Sequence, residues 1–164
     1  MPQEKKYVRP SWDEYFIKIA MLVSERSTCL RHHVGAIIVK NKQILTTGYN
    51  GAARGVKDCL ERGCLRDEQG IASGERHEIC RAIHAEQNAI IQAGRFGVDI
   101  SDGAMYCTHT PCIICAKMIV NAGIKKFFTY TDYPTTGGVT ELLDEAEIEI
   151  VKMKKPETKI NILD

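Results

Sequence analysis

The sequence predicts an α/β fold, a mixed sheet of about five strands between helices in a three-layer α/β/α arrangement. Three observations predict it. A helix with a marked start opens the chain, a two-stranded hairpin follows, and residues 104–131 read as strand–helix–strand. Strands joined by a tight turn run antiparallel, whereas strands joined through a helix run parallel with a right-handed crossover. One sheet holding both kinds is mixed.

Taking the elements in order, Ser11-Trp12-Asp13-Glu14 is a capping box, serine with glutamate three residues on. Phe16, Ile19, Ala20 and Val23 then fall at i, i+3, i+4 and i+7, the spacing of an amphipathic helix. Val34–Val39 and Ile44–Tyr49 flank Lys40-Asn41-Lys42 and predict the hairpin, with Asn50-Gly51 as a closing turn. Residues 52–81 show no sustained period and contain four glycines. A loop of that length inside a compact domain is uncommon and tends to be functional. A second helix is expected over Ala82–Ala93 with Gly94 as its C-terminal cap. Ala104–Thr108 reads as a strand. Thr110 and Pro111 then supply an N-cap and first residue for a helix that Gly123 stops. Lys126–Thr131 is the parallel partner strand, and a helix over Thr140–Ala146 and a strand over Ile148–Val151 complete the core. This places one domain at 11–151, an N-terminal tail at 1–10 and a C-terminal tail at 152–164.

Composition narrows the function. Hydrophobic residues at 44% and charged residues at 26% are globular values. No apolar run approaches the ~20 residues of a membrane span, so no membrane partner is expected. The first ten residues lack the apolar core of a secretory signal, which makes the expected location cytoplasmic. Twenty-two basic residues against 21 acidic ones leave a net charge of +1. Nucleic-acid binders show a basic balance or stripe, so the expected partner is a small molecule and not a nucleic acid. Lys152, Lys154, Lys155 and Lys159 read as a solvated tail. Seven cysteines in a chain of this kind point to metal ligation or core packing before disulfides.

Two segments carry chemistry: Ile83-His84-Ala85-Glu86 and Pro111-Cys112-Ile113-Ile114-Cys115. Cysteines three apart at a helix start share one face, and the helix N-terminus favours the thiolate a metal requires. With His84 they form a Cys₂His set. Three protein ligands with a fourth position open is the catalytic zinc pattern, whereas structural zinc is closed by four. Glu86 stands about 200° from His84 in a regular helix, so both reach one metal only if His84 lies at the very start of the helix. Zinc lowers the pKa of bound water to roughly 7, and an acid beside the metal but not bound to it can carry protons as general acid and base. Alone, a Cys-x-x-Cys is as readily redox-active or merely buried, and His-x-Glu is close to noise. The combination is the signature of zinc deaminases.

At these residues the chain resembles the cytidine and deoxycytidylate deaminase superfamily, and within it the dCMP deaminases. The likeness runs over about residues 11–151. It rests on Val34-Gly35-Ala36, Gly48-Tyr49-Asn50-Gly51, His84-Ala85-Glu86-Gln87-Asn88-Ala89-Ile90, and Thr110-Pro111-Cys112 through Ala122-Gly123-Ile124. The resemblance implies a cytidine-deaminase-like fold, Zn²⁺ on His84, Cys112 and Cys115, and Glu86 as the catalytic acid and base. It implies hydrolysis of dCMP to dUMP and ammonia, with Asn50 on the sugar or phosphate side. It implies a homohexamer, and dCTP and dTTP as effectors in many relatives.

A nucleotide phosphate needs cations or backbone N–H groups. Arg26, at a position often arginine in relatives, and Arg95 are the candidates, each equally readable as a surface arginine. Tyr133 is placed to stack on the base or to pack. Cys29, Cys59, Cys64, His77 and Cys80 border the irregular loop, where some phage relatives hold a second, structural zinc. Four of the five would close such a site and pin a polar loop, with Cys29, Cys59, His77 and Cys80 the expected set. The alternative is cysteines packed beneath a loop.

Other readings share the metal motif. A tRNA adenosine deaminase would need a basic face and room for an extruded base. A riboflavin-pathway deaminase is commonly fused to a reductase domain. A non-catalytic zinc-binding protein, of the deaminase-like kind encoded in competence operons, would have no use for the uncoordinated Glu86.

Overall fold

The computed structural model of the protein describes residues 7–134 and 137–160. The outer parts of the two expected tails, 1–6 and 161–164, lie outside the described residues.

Helix α1 (Trp12–Ser24) starts at the capping box. Ser11 Oγ accepts from Glu14 N at 3.2 Å, and Glu14 Oε2 accepts from Ser11 N at 2.7 Å. Strands β1 (Gly35–Lys40) and β2 (Gln43–Tyr49) form the hairpin. Asn41 and Lys42 turn it with φ of 52° and 60°, both left-handed, as a two-residue hairpin turn requires. The chain continues through β3 (Gly51–Ala52), two one-turn helices, α2 (Cys59–Arg62) and α3 (Leu65–Glu68), a 3₁₀ turn at His77–Ile79 and β4 (Ala82–Ile83). Then come α4 (Ala85–Phe96), β5 (Ala104–Cys107), α5 (Ile113–Asn121), β6 (Lys126–Thr129), α6 (Val139–Glu145) and β7 (Glu149–Lys152).

Five strands form one sheet in the order β2-β1-β5-β6-β7, antiparallel from β2 to β5 and parallel from β5 to β7. Alternate residues of each strand serve opposite faces. Ala36, Ile38, Met105, Cys107 and Phe127 pack with α4, α5 and α6. Ile37, Val39, Tyr106 and Phe128 pack with Phe16, Ile17 and Ala20 of α1. The predicted three layers are therefore present, with a single helix on one side.

Four boundaries differ from expectation, each for a local reason. Ala82-Ile83 does not open α4; it pairs with Gly51-Ala52 as a small second sheet, so Asn50-Gly51 leads into a strand instead of a turn. Gly94 is not the cap: it meets open space inside α4, and Gly97, with φ of 65°, ends the helix. Thr110 and Pro111 do not start α5, because Thr110 bonds the neighbouring strand end through Thr131 O and Tyr133 N, which leaves Cys112 as N-cap. The C-terminal tail does not begin at 152: Lys152 closes β7, and Met153 N donates to Thr129 O at 2.7 Å.

Two glycines let the layers close. A Cβ on Gly35 would sit 2.1 Å from Ala20 O in α1, and one on Gly48 would sit 2.2 Å from Ala85 O and 2.5 Å from Ala89 N in α4. Both obstacles are backbone, so nothing can swing aside. Gly48→Ala is expected to cost about 2–3 kcal/mol through forced backbone shifts, read as a lower midpoint in urea unfolding. An unchanged midpoint would show that α4 can retreat freely.

Candidate active site

All the strand ends that matter meet at one edge of the sheet. The carboxyl ends of β5 and β6 deliver residues 108–112 and 130–133, and a bridge between His109 and Thr131 extends their pairing. Antiparallel β1 brings its entry residues, His32 and Val34, to the same edge, and β2 brings Asn50. Ligands of open α/β sheets bind outside the carboxyl ends of parallel strands. Here that edge carries a cleft lined by His32, Asn50, His84, Glu86, Cys112 and Tyr133.

At the floor of the cleft two helices begin. His84 is the N-cap of α4, in extended conformation at φ −71° and ψ 157°, and its backbone N–H donates to Gln87 Oε1 at 2.9 Å. Cys112 is the N-cap of α5, with its Sγ 3.5 Å from Cys115 N. The extended cap removes the helical offset between His84 and Glu86. His84 Nδ1 stands 3.5 Å from Cys112 Sγ and 3.3 Å from Cys115 Sγ. Among the described residues these three form the one group of ligand atoms lying within 4.8 Å of one another. Two sulfurs and one imidazole nitrogen at helix starts fit zinc, which takes such donors at 2.0–2.3 Å in tetrahedral geometry. Hydrogen bonding from Cys115, with His84 also contributing, pulls the Cys112 thiol down to about 3. That direction favours the thiolate form which a metal ligand requires.

Glu86 follows at the second position of α4 and is 4% exposed. Burial pushes its carboxyl up to about 7, against the pull of His84. An acid at that value can release and accept a proton at neutral pH.

Above the floor, His32, His109 and Tyr133 form an aromatic rim. The His32 ring lies edge-on to His109 at 5.9 Å and to Tyr133 at 5.4 Å. The buried Thr108 hydroxyl sits 3.3 Å from Gly35 N, as acceptor, and 2.8 Å from His109 Nδ1. The hydroxyl thereby ties the His109 ring to the start of β1. Tyr133 OH accepts from Gly74 N at 3.2 Å and ties the irregular loop across the rim. Asn50, 7% exposed, accepts from Val34 N and donates to His32 O, so one amide N–H is left for a ligand.

The remaining expected site residues divide. Arg26 and Arg95 are exposed and do not line the cleft; Arg95 lies over Phe96 at the far end of α4. Cys29, Cys59, Cys64 and Cys80 do gather on the cleft wall. Burial first, then the other three thiols, pushes Cys59 up to about 11. His77 stands apart from that group. Its ring is edge-on to His84 at 4.9 Å, and its Nδ1 is buried without a partner. Two residues escape the sequence reading: His109, masked by its position in a strand end, and Arg66, a buried arginine in a stretch with no period. Only burial singles out Arg66.

A three-ligand metal floor with an uncoordinated acid beside it defines a hydrolytic zinc-enzyme type of site on an α/β/α scaffold. The family described as the cytidine and deoxycytidylate deaminase zinc-binding region matches residues 10–131, and the chain belongs to that family. It is 36% identical over 152 residues to a deoxycytidylate deaminase of Schizosaccharomyces pombe, covering 93% of this chain and 47% of the yeast protein. It thus spans about half the length of that relative. It is 38% identical over 154 residues to ComE operon protein 2 of Bacillus subtilis, covering 94% of this chain and 77% of that one. Among solved structures, the dCMP deaminase of cyanophage S-TIM5 in complex with dCMP and dUMP superposes with a TM-score of 0.74 at 34% identity, over 90% of this chain and all of that one. Among the described residues no helix is long and apolar enough to cross a membrane.

The rim has a pH signature. Burial, with the His32 charge adding to it, holds His109 down at about 4. The unfolded chain takes up that proton near 6.5, so the contribution to stability is complete above about 6.5 and is lost as pH falls toward 4. His109→Leu removes this term. Between pH 6.5 and 4.5 its Tm is expected to fall less than that of the parent protein. Parallel falls would show that His109 is not held neutral.

Proposed function

We propose that the protein is a zinc-dependent hydrolase that converts dCMP and water to dUMP and ammonia. The observation that carries this reading is the carboxyl of Glu86, buried in the first turn of the helix that His84 caps, beside the three metal-ligand atoms. A structural metal site has no use for such a group. The family, and the dCMP and dUMP bound by the cyanophage relative, support the choice of dCMP.

His84, Cys112 and Cys115 would hold zinc, which when bound activates water as the nucleophile. Glu86 takes a proton from that water and passes it to ring N3 as attack proceeds at C4. It then takes the second proton from the hydroxyl now on C4 and delivers it to the departing amine, so that C4=O forms as the C4–N4 bond breaks and ammonia is released. The free N–H of Asn50 and the ring of Tyr133 orient the nucleotide, and the rim of His32, His109 and Tyr133 limits water around it. The homohexamer and the dCTP and dTTP control implied by the family resemblance belong to the same reading, as does a cytoplasmic location. Exposed Trp12, Tyr15, Ile91 and Phe96 support an assembled state.

Glu86→Gln is expected to keep its zinc and to bind dUMP while losing dCMP turnover by about 10²–10⁴-fold, the usual reach of general acid–base catalysis. Ammonia release and metal analysis measure both. A second reading is a zinc-binding protein without turnover; the chain is also similar to ComE operon protein 2, whose name states no activity. Parent protein that releases no ammonia from dCMP, CMP or deoxycytidine would select that reading.

We also infer a second zinc, which would draw together Cys29, Cys59, Cys64 and Cys80 on the cleft wall, no three of whose sulfurs lie within 4.8 Å of one another in this structure. Four thiolates around Zn²⁺ carry excess negative charge, and Arg81, whose charge acts on the Cys59 thiol, offsets it. Fully loaded protein should then contain two zincs per chain and Cys59→Ser with Cys64→Ser only one. One zinc in the parent protein would overturn this.

A further inference from the structure

The wall of the cleft carries two arginines in opposite circumstances. Arg31 is fully engaged. Its guanidinium pairs with Asp67, with Nη2 2.6 Å from Oδ1, and Nη2 also donates to Ile71 O at 2.7 Å. Arg66, from α3, is 5% exposed and lines the same cleft. Its Nη2 donates to Ala72 O at 2.9 Å, while its Nε is buried without an acceptor. Among the described residues no carboxylate lies within ion-pair distance of it.

A guanidinium stays charged wherever it is placed, and a buried charge without a counter-ion is strongly unfavourable. One carbonyl oxygen does not balance it. The acid next to it in the chain, Asp67, feels the Arg66 charge but is paired with Arg31 instead. Asn50, His32 and Tyr133 line the same cleft.

We propose that Arg66 is the phosphate-recognition residue of this site, held without a counter-charge so that the 5′-phosphate of a nucleoside monophosphate supplies one. This rests on the deaminase reading above and deepens it, replacing Arg26 and Arg95 as the anchor. The burial of the guanidinium is what gives it discrimination. A nucleoside lacking the phosphate leaves Arg66 unpaired, so selectivity arises from the state of the empty wall as much as from contact with the ligand. Arg31 supports Arg66 indirectly, because its bonds to Asp67 and Ile71 fix the two ends of the segment from which Arg66 reaches Ala72.

The test compares dCMP with deoxycytidine in zinc-loaded protein carrying Arg66→Met or Arg66→Lys. Arg66→Met is expected to lower kcat/KM for dCMP at least 100-fold while deoxycytidine turnover stays within threefold. Arg66→Lys restores part of the preference. A preference for dCMP that survives Arg66→Met overturns the proposal. So does an equal loss on both substrates, which would make Arg66 a support of the wall only. Should Arg66→Met fail to fold, an Arg66→Lys enzyme with the full parental preference overturns it equally. Calorimetric binding of dUMP against deoxyuridine separates this proposal from the reaction. Parent protein that turns over neither substrate sinks the deaminase reading, while weaker dUMP binding in Arg66→Lys with unchanged deoxyuridine binding still supports the phosphate role.

Discussion

Everything at the site depends on how closely α4 lies against β2. Gly48 leaves no room for a side chain between the strand and the backbone of Ala85 and Ala89, and that contact sets the height at which α4 begins. His84 and Glu86 stand in its first turn. A methyl group at position 48 would lift that turn away from Cys112 and Cys115, which are fixed independently by β5 and the start of α5. The ligand set is therefore assembled by backbone proximity, with side chains only completing it. Gly35 does the same for α1 on the opposite face, so the central hairpin is clamped from both sides at neighbouring positions.

Most of the fold was legible because the central strands are short apolar runs bounded by turn residues and the first helix carries its own start signal. The hairpin, the strand–helix–strand unit and the number of strands follow from patterns repeated every two or three to four residues. The boundaries were less legible where tertiary contacts compete with local signals. Thr110 is a good N-cap by type, but Thr131 and Tyr133 claim it. Gly94 looks like a stop, yet the stop is set three residues later, at Gly97. Residues 52–81 read as a loop because two one-turn helices and a two-residue strand are too short to show any period.

The site divides along the same line. His84, Glu86, Cys112 and Cys115 were legible because their spacing is dictated by one metal and one proton carrier, and each pair sits within a few residues. The positions that receive the nucleotide come from separate parts of the chain, and nothing in local sequence tells a buried arginine from a surface one. Arg66 looks no different from Arg26 or Arg95 in type. Its distinction is the absence of a counter-charge in a buried place, a property of the folded molecule. His77 lies between the two cysteine groups: it is three residues from Cys80 in sequence, and its ring packs edge-on to His84.

The separation of the ligands along the chain also sets an order of assembly. Cys112 and Cys115 lie on one turn and come together as soon as α5 forms, since contacts between near neighbours are the fastest to close. His84 joins them only after α4 docks on β2, and the β1 pairing with β5 joins residues as far apart as Ala36 and Cys107. A newly made chain thus passes through a stage in which the two thiols are paired and the imidazole is still absent. During that interval the cysteines are open to oxidation and to soft metals other than zinc.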